Sequence, residues 1–323
     1  MKKSTFALLL TLLTLGLTLT GQSAAAALYP VPVDDRWGFV DKTGNIVVNP
    51  QFERAEPFAN GLAAIRLKRW GYVDAAGKIA INPQFDEVGP FSDGLAVFKF
   101  GGSFGYVNPA GQYAINPQFD HAGNFSEGRA VIKLSRRYGY IDKAGAVVVN
   151  PQFDDAAEFS QGMAAIELGD RWGYVDLAGK IVINPQFERA GAFAEGLAAV
   201  RVGKRWAFVD KTGRLAINPQ FDDARGFAKG LAPVRVGKLW GYVDATGQLA
   251  INPQFDDADS YVENMARVKI AGRWGFIDKS GKFAINPQFD EADSFSDGLA
   301  RVKVSRKTGY VNLEGKYVWN PTK

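Results

Sequence analysis

The stretch WGYVDLAGKIVINPQF, Trp172 to Phe187, decides how this 323-residue chain is read. Its apolar residues alternate with period two in GYVD and again in KIVIN, which fits half-buried strands and not an amphipathic helix. Gly179 follows Asp176 by three residues, as in a hairpin turn that ends on a left-handed residue. The stretch therefore predicts two antiparallel strands, followed by an Asn-Pro that interrupts the second.

Close copies of it fill the chain. The position of Trp172 recurs at Trp37, Trp70, Phe104, Tyr138, Trp206, Trp240, Trp274 and Thr308, with a first step of 33 residues and then seven of 34. The Asn-Pro pair keeps the same step from Asn49 to Asn320, so residues 28 to 323 are nine copies without a spacer. A 34-residue period alone would also suit paired helices, but the glycines, the mid-copy proline and the alternation exclude them.

Each copy predicts a three-stranded antiparallel meander: strand A (LAAVRV, Leu197–Val202), strand B (RWGYVD) and strand C (KIVIN). A loop, PQFxxAxxFxxG, follows, and its phenylalanines, such as Phe187 and Phe193, are expected to cover the sheet. Asn264 stands in the glycine column before strand A, which marks positive φ there. Ala207 replaces the glycine after the tryptophan, which marks close packing instead. Ala63, Ile65 and Leu67, with Ala96, Phe98 and Phe100 and with Ala164, Ile166 and Leu168, are expected to point inward. One 34-residue copy is too small to hold a core of its own, so neighbours must share theirs. The first copy places Pro30 and Pro32 in its strand A, as on an edge strand closed to further pairing. The expected fold is thus an all-β tandem array of nine copies in an open, elongated stack, with a closed β-propeller as the alternative.

The composition, 46% apolar and 13% aromatic, is that of a packed globular chain. Its formal charge of +4 includes Lys2 and Lys3 and gives no general attraction to nucleic acid or anionic membrane. Cysteine is absent, which excludes disulfides, thiolate metal sites and a thiol nucleophile, and the single histidine, His121, excludes a multi-imidazole site within one chain. Residues 1–26 have the form of a cleaved signal peptide: two lysines, an apolar run from Phe6 to Leu19, and small residues at Ala24 and Ala26. That run is too short to span a bilayer, and no later stretch is apolar enough. Residues 27–323 then form the repeat domain of an exported, periplasmic or extracellular protein.

At WGYVD, INPQF and FSDGLA the chain resembles the WG-repeat family, also called KWG repeats. The resemblance covers everything after the leader, with departures at Phe104, Tyr138, Thr308, Ala207 and the stretch YVENMA, Tyr261 to Ala266. It implies a bacterial, often exported interaction module without a defined catalytic site.

A catalytic site needs one asymmetric constellation, which in a repeat chain would break the repeat at one place. His121 falls in a column of Arg54, Glu87, Asp155, Arg189, Asp223, Asp257 and Glu291, a solvent-facing polar position with no positioned partner for a general base. The acid pairs Asp154-Asp155, Asp222-Asp223, Asp256-Asp257 and Asp290-Glu291 match no calcium-loop spacing. The tryptophan column suits a core ridge, with a glycan-stacking platform as the alternative. The sharpest binding signal is the outward column of strand A: Arg66, Lys99, Lys133, Arg201, Arg235, Lys269 and Lys303, broken only by Glu167. With Lys68-Arg69, Arg136-Arg137, Lys204-Arg205 and Arg306-Lys307 in the adjoining turn, it predicts a basic stripe apart from an acidic one in the PQF loop. The expected function is a non-catalytic binding module for envelope proteins or anionic cell-surface polymers. No cofactor or metal is expected, nucleic acid is disfavoured, and a hydrolase is the least supported reading.

Overall fold

The computed structural model describes residues 27–322, and every regular element among them is a β-strand. The leader read at residues 1–26 lies outside the described residues. Sheet 1 holds β1 (Tyr29–Val33), β2 (Arg36–Val40) and β3 (Ile46–Phe52) in that order, all antiparallel. Sheet 2 adds a strand in front: β4 (Arg54–Ala59), β5 (Leu62–Leu67), β6 (Arg69–Asp74) and β7 (Ile79–Phe85). The other seven sheets repeat this four-stranded order, so nine sheets follow the nine copies.

The expected strands A, B and C correspond to β5, β6 and β7, but the segment read as a loop is the first strand of the next sheet. After Phe153, the Asp154 N–H donates to Glu167 O at 2.9 Å, and Asp155–Ala156 pairs with Ile166–Glu167. The hairpin tip that follows is tight. Asp93 and Gly94 have φ of 52° and 87°, and the same pair of left-handed residues recurs at Glu263 and Asn264, with φ of 54° and 81°. Both central residues of a type I′ turn require that conformation, which is why only Gly or Asn occupies the second place.

The Asn-Pro has a structural reason. Between Trp172↔Phe187 and Tyr174↔Ile183 the register slips, so that Asn184, Pro185 and Gln186 bulge out of the ladder. Proline lacks the donor that an unbroken ladder would need. The bulge presses on the glycine after the tryptophan: a Cβ on Gly71 would sit 2.5 Å from Ile81 O. That residue is there for close approach, as Ala207 indicated.

The sheets pack face to face around a ring. In sheets 1 to 8 the strand-B aromatic packs on an aromatic of the first-strand segment of the next sheet, as in Tyr106–Phe125 (4.7 Å between centroids) and Tyr174–Phe193 (4.8 Å). Where that aromatic is Tyr, its hydroxyl donates to the next sheet's backbone, as from Tyr106 to Gly123 O and from Tyr174 to Gly191 O, both 2.7 Å. Hairpin tips are tied in the same way: Ser126 Oγ donates to Phe159 O at 2.7 Å, and Glu195 Oε2 accepts from Gly230 N–H at 2.8 Å. Because neighbouring sheets cover both faces, strand A does not divide into inner and outer sides along its whole length. Ala64, Val131 and Ala165 are buried alongside Ala63 and Ile65. Two residues expected inward, Phe100 and Leu168, are 44% and 41% exposed at the strand's end.

The chain does not form the open stack; it forms the alternative, a closed propeller. Sheet 9 (Glu291–Ala292, Leu299–Val304, Lys307–Asn312 and Tyr317–Thr322) packs on sheet 1. Tyr29 takes the place of the missing first-strand aromatic, with its ring 5.5 Å from that of Tyr310. Tyr310 Oη donates to Pro30 O (2.9 Å), Thr322 Oγ1 to Pro32 O (2.8 Å) and Tyr29 Oη to Asp297 O (2.9 Å). Side chains thus close the ring where no strand is shared.

Candidate functional site

The basic column lies on one face of strand A, between two other columns. Lys99 stands opposite Glu87 on the first strand and opposite Phe104 on strand B; Arg235 stands likewise between Asp223 and Trp240, and Lys303 between Glu291 and Thr308. Ion pairs follow from this register: Lys99–Glu87 (2.9 Å), Arg235–Asp223 (3.6 Å) and Lys303–Glu291 (2.6 Å), while Arg66 meets Glu53 at 3.4 Å. Lys133, Arg201 and Lys269 make no ion pair among the described residues. The expected separation of basic and acidic stripes is therefore absent. The acids reach the basic column because the supposed loop is a strand that pairs with it.

Acids next to PQF also join consecutive sheets. Asp154 pairs with Arg137 of sheet 4 and accepts the Gly169 N–H of sheet 5 at 2.9 Å; Glu188 does the same for Arg171 (2.6 Å) and Gly203 (2.9 Å). Arg69, Arg137 and Arg205, read as part of the basic turn, are held in such pairs.

The tryptophan column is half-buried to buried, with Trp172 9% exposed, and each ring packs on its sheet's core. Basic side chains cover several of these rings: Lys133 Nζ lies 4.7 Å from the Tyr138 ring centre and Arg225 Cζ 4.5 Å from that of Trp240. These faces are occupied by cations, which suits packing better than glycan stacking. His121 is exposed on its first strand, with its ring 5.5 Å from that of Phe104.

The ring departs from its repeat most at the seam. In other sheets the first strand donates to strand A, for example Gly123 N–H to Val131 O and Asp120 N–H to Lys133 O. Sheet 1 has no first strand, and the corresponding carbonyls of Pro30 and Pro32 are taken by Tyr310 and Thr322. Two prolines bring no N–H to that edge, so β1 is closed to an added strand, as the sequence indicated.

The missing strand leaves a cavity of about 280 Å³ among Tyr29, Glu56, Phe58, Asp293, Asp297, Arg301 and Tyr310. On the other side of β4 lies a second cavity of about 450 Å³ among Phe58, Leu62, Ala64, Trp70, Val88 and Pro90. Both are walled by Glu56, Pro57 and Phe58. Ala64 and Pro90 line the second, where sheets 3 and 4 have Val97 and Val131 and sheet 4 has Asn124, although alanine also stands in the first of these columns at Ala165 and Ala199.

A chain of charges leads to the seam. Arg225 pairs with Asp257 (2.9 Å) and Asp259; Asp259 pairs with Arg267, which donates to Ala292 O on the next first strand. One sheet on, Arg301 pairs with Asp293 at 2.7 Å, but the strand that would supply the equivalent of Ala292 O is the missing one. Burial, with Asp297 and Glu263 nearby, pushes the Tyr29 hydroxyl up to about 12. Of the seam residues only Pro30 and Pro32 stood out in the sequence.

The model of the family described as WG containing repeat matches residues 37–68, 70–103, 104–135, 138–172, 172–206, 206–240, 240–274 and 274–307. These eight matches run from strand B of one sheet to strand A of the next, so the two half-copies at the seam fall outside them. No curated protein is matched by the sequence. Among solved structures, one described as the crystal structure of the eukaryotic initiation factor is 11% identical, with a TM-score of 0.65 over 90% of this chain and 95% of that one. BamB from Moraxella catarrhalis is 13% identical, with a TM-score of 0.45 over 89% and 92%. At such identities the likeness to the first of these bears on the fold alone.

Proposed function

We propose that this chain, which belongs to the WG containing repeat family, is a non-catalytic binding module that acts after export and takes an envelope protein at the seam of its ring. The single observation that carries the reading is the pair of cavities on either side of β4, one beside the strand that sheet 1 lacks and one between sheets 2 and 3. Concave, largely apolar sites with a few polar groups are where proteins most often receive ligands. The leader-like residues 1–26 support export.

A photo-crosslinking side chain at Pro57 or Pro90, compared with one at Thr43 on a distant turn, tests this in envelope extract. The reading expects one defined protein adduct from the first two positions only. Equal adducts from all three, or none from Pro57 and Pro90, would remove it.

A second reading, an anionic polymer held along strand A, is favoured by Lys133, Arg201 and Lys269, which have no carboxylate partner among the described residues. It predicts salt-dependent binding that the crosslinks at Pro57 and Pro90 would not report.

A further inference from the structure

The cavity at the seam and the one across β4 differ in chemistry. The larger is apolar apart from Glu56. Around the smaller, Glu56, Asp293 and Asp297 face the guanidinium of Arg301 and, in a chain that begins at Ala27, its α-ammonium, so three carboxylates meet two cations and one negative charge is in surplus. Glu56 also meets Arg54 at 2.9 Å, but both side chains are exposed, at 41% and 61%, and such a pair yields readily to a competitor. Tyr29, Phe58 and Tyr310 add aromatic walls, the surroundings in which a cation with an apolar stem is best received.

Arg301, whose side chain is 37% exposed, adds a donor that a ligand can use. Arg267, in the same column one sheet earlier, donates to the backbone carbonyl of Ala292. The terminal nitrogens of Arg301 have no hydrogen-bond partner among the described residues, on the side where a backbone carbonyl is missing. A polypeptide supplies such a carbonyl, and a simple amine does not. It cannot add as a strand, because β1 offers no N–H at Pro30 or Pro32 and its outward carbonyls are taken. It must bind through its side chains, with one carbonyl on Arg301.

We propose that the seam takes an extended polypeptide segment with a lysine or arginine two residues from an apolar side chain, the cation beside Glu56 and Asp297 and the apolar group beside Trp70. This rests on the seam being the binding site. In an extended chain, side chains two residues apart lie on the same side, about 7 Å from each other, and the long stem of a lysine or arginine adds reach across the strand between the cavities.

The probe is the blocked pentapeptide acetyl-Ala-Phe-Ala-Lys-Ala-amide, titrated into residues 27–323 while the Trp70 indole N–H is followed by NMR and assigned through Trp70→Phe. A control peptide carries Glu in place of Lys. The expected result is a saturable shift of the Trp70 resonance, about tenfold weaker binding of the control, and about tenfold weaker binding of the lysine peptide to Glu56→Gln. Ala64→Val, which copies the valine of sheets 3 and 4 and so preserves the fold, should abolish both shifts. Equal affinity for both peptides, with the Ala64→Val loss intact, would overturn the charge assignment and leave the seam site standing. No shift with either peptide, despite an adduct from Pro57, would overturn the segment class alone. No shift and no adduct would remove both readings.

Discussion

Replacing Tyr310 with Phe removes one hydroxyl from a buried ring and tests how the propeller is closed. That hydroxyl donates to Pro30 O at 2.9 Å, and without it a buried carbonyl on the unpaired edge of β1 loses its partner. Leaving such a group unsatisfied costs about 1–3 kcal/mol. Tyr140→Phe deletes the equivalent bond to Ala157 O (2.8 Å) between sheets 4 and 5 and is the matched control. Phe39, Phe208 and Phe276 in the same column show that a sheet junction tolerates the missing hydroxyl. The two junctions differ in one respect: sheets 4 and 5 are joined through the backbone at Asp154, whereas only side chains hold sheet 9 to sheet 1. The whole loss in Tyr310→Phe should therefore appear as easier opening of β1. Amide exchange at Val31, whose strand partner is Gly38, should accelerate about 5- to 150-fold at neutral pH, following 1.36 kcal/mol per decade. In Tyr140→Phe the loss should be spread over global unfolding, with Val31 protection unchanged. Equal exchange of Val31 in all three proteins would refute the claim that this side-chain seam limits β1 opening.

Asp154→Ala should lower stability by about 1 kcal/mol in urea unfolding, because it removes an exposed pair with Arg137 and the bond from Gly169 N–H. The Asp41 carboxyl is held down at about 2 by the Thr43 hydroxyl and the Asn45 N–H. Its contribution is therefore complete above the ordinary carboxylate value and lost as pH falls towards 2, and Thr43→Ala should move its NMR titration upward. Gly128→Ala places a side chain at a φ of 76° and should cost about 1–2 kcal/mol, measured by thermal unfolding. If the polymer reading holds, changing Lys133, Arg201 and Lys269 to Gln should reduce binding to a polyanion more than changing Arg66, Lys99 and Arg235, which are already paired.

The sheets were legible because the repeat exposes its own constraints. Asn264 marked a left-handed residue and Ala207 a packing contact, and both hold. The fourth strand was not legible, since in most sheets it is only two residues long, as at His121–Ala122, with no alternation to detect. Missing it displaced the acids: Glu87 and Glu291 were placed on a loop, away from the lysines they pair with. Pro30 and Pro32 did indicate a closed edge, but an edge strand suits an open stack and a ring with one gap equally well. The deciding residue was Tyr29, which stands where sheet 2 has Ala63 and supplies the aromatic that the missing strand would have brought. The second cavity was not legible: Ala64 and Pro90 line it, but alanine recurs in the same column at Ala165 and Ala199, and small residues acquire meaning only once the sheets are known to face one another.

A ring of near-identical sheets has no reason to favour one of its junctions as a binding site, because each junction is filled by the same residues. Selectivity of place requires a defect. Here the defect and its repair are separate: Tyr29, Tyr310 and Thr322 restore the closure, while the volume of the missing strand is left partly unfilled beside Arg301. Had the seam been closed by a shared strand, as in sheets 2 to 9, Arg301 would donate to a carbonyl as Arg267 does, and the ring would hold no such cavity. The same absence thus makes the seam the easiest junction to open and leaves the terminal nitrogens of Arg301 without a protein partner beside a cavity. Occupancy of that cavity should tie sheet 9 to sheet 1, so a bound segment is expected to slow Val31 exchange in the native protein and to restore part of the protection lost in Tyr310→Phe.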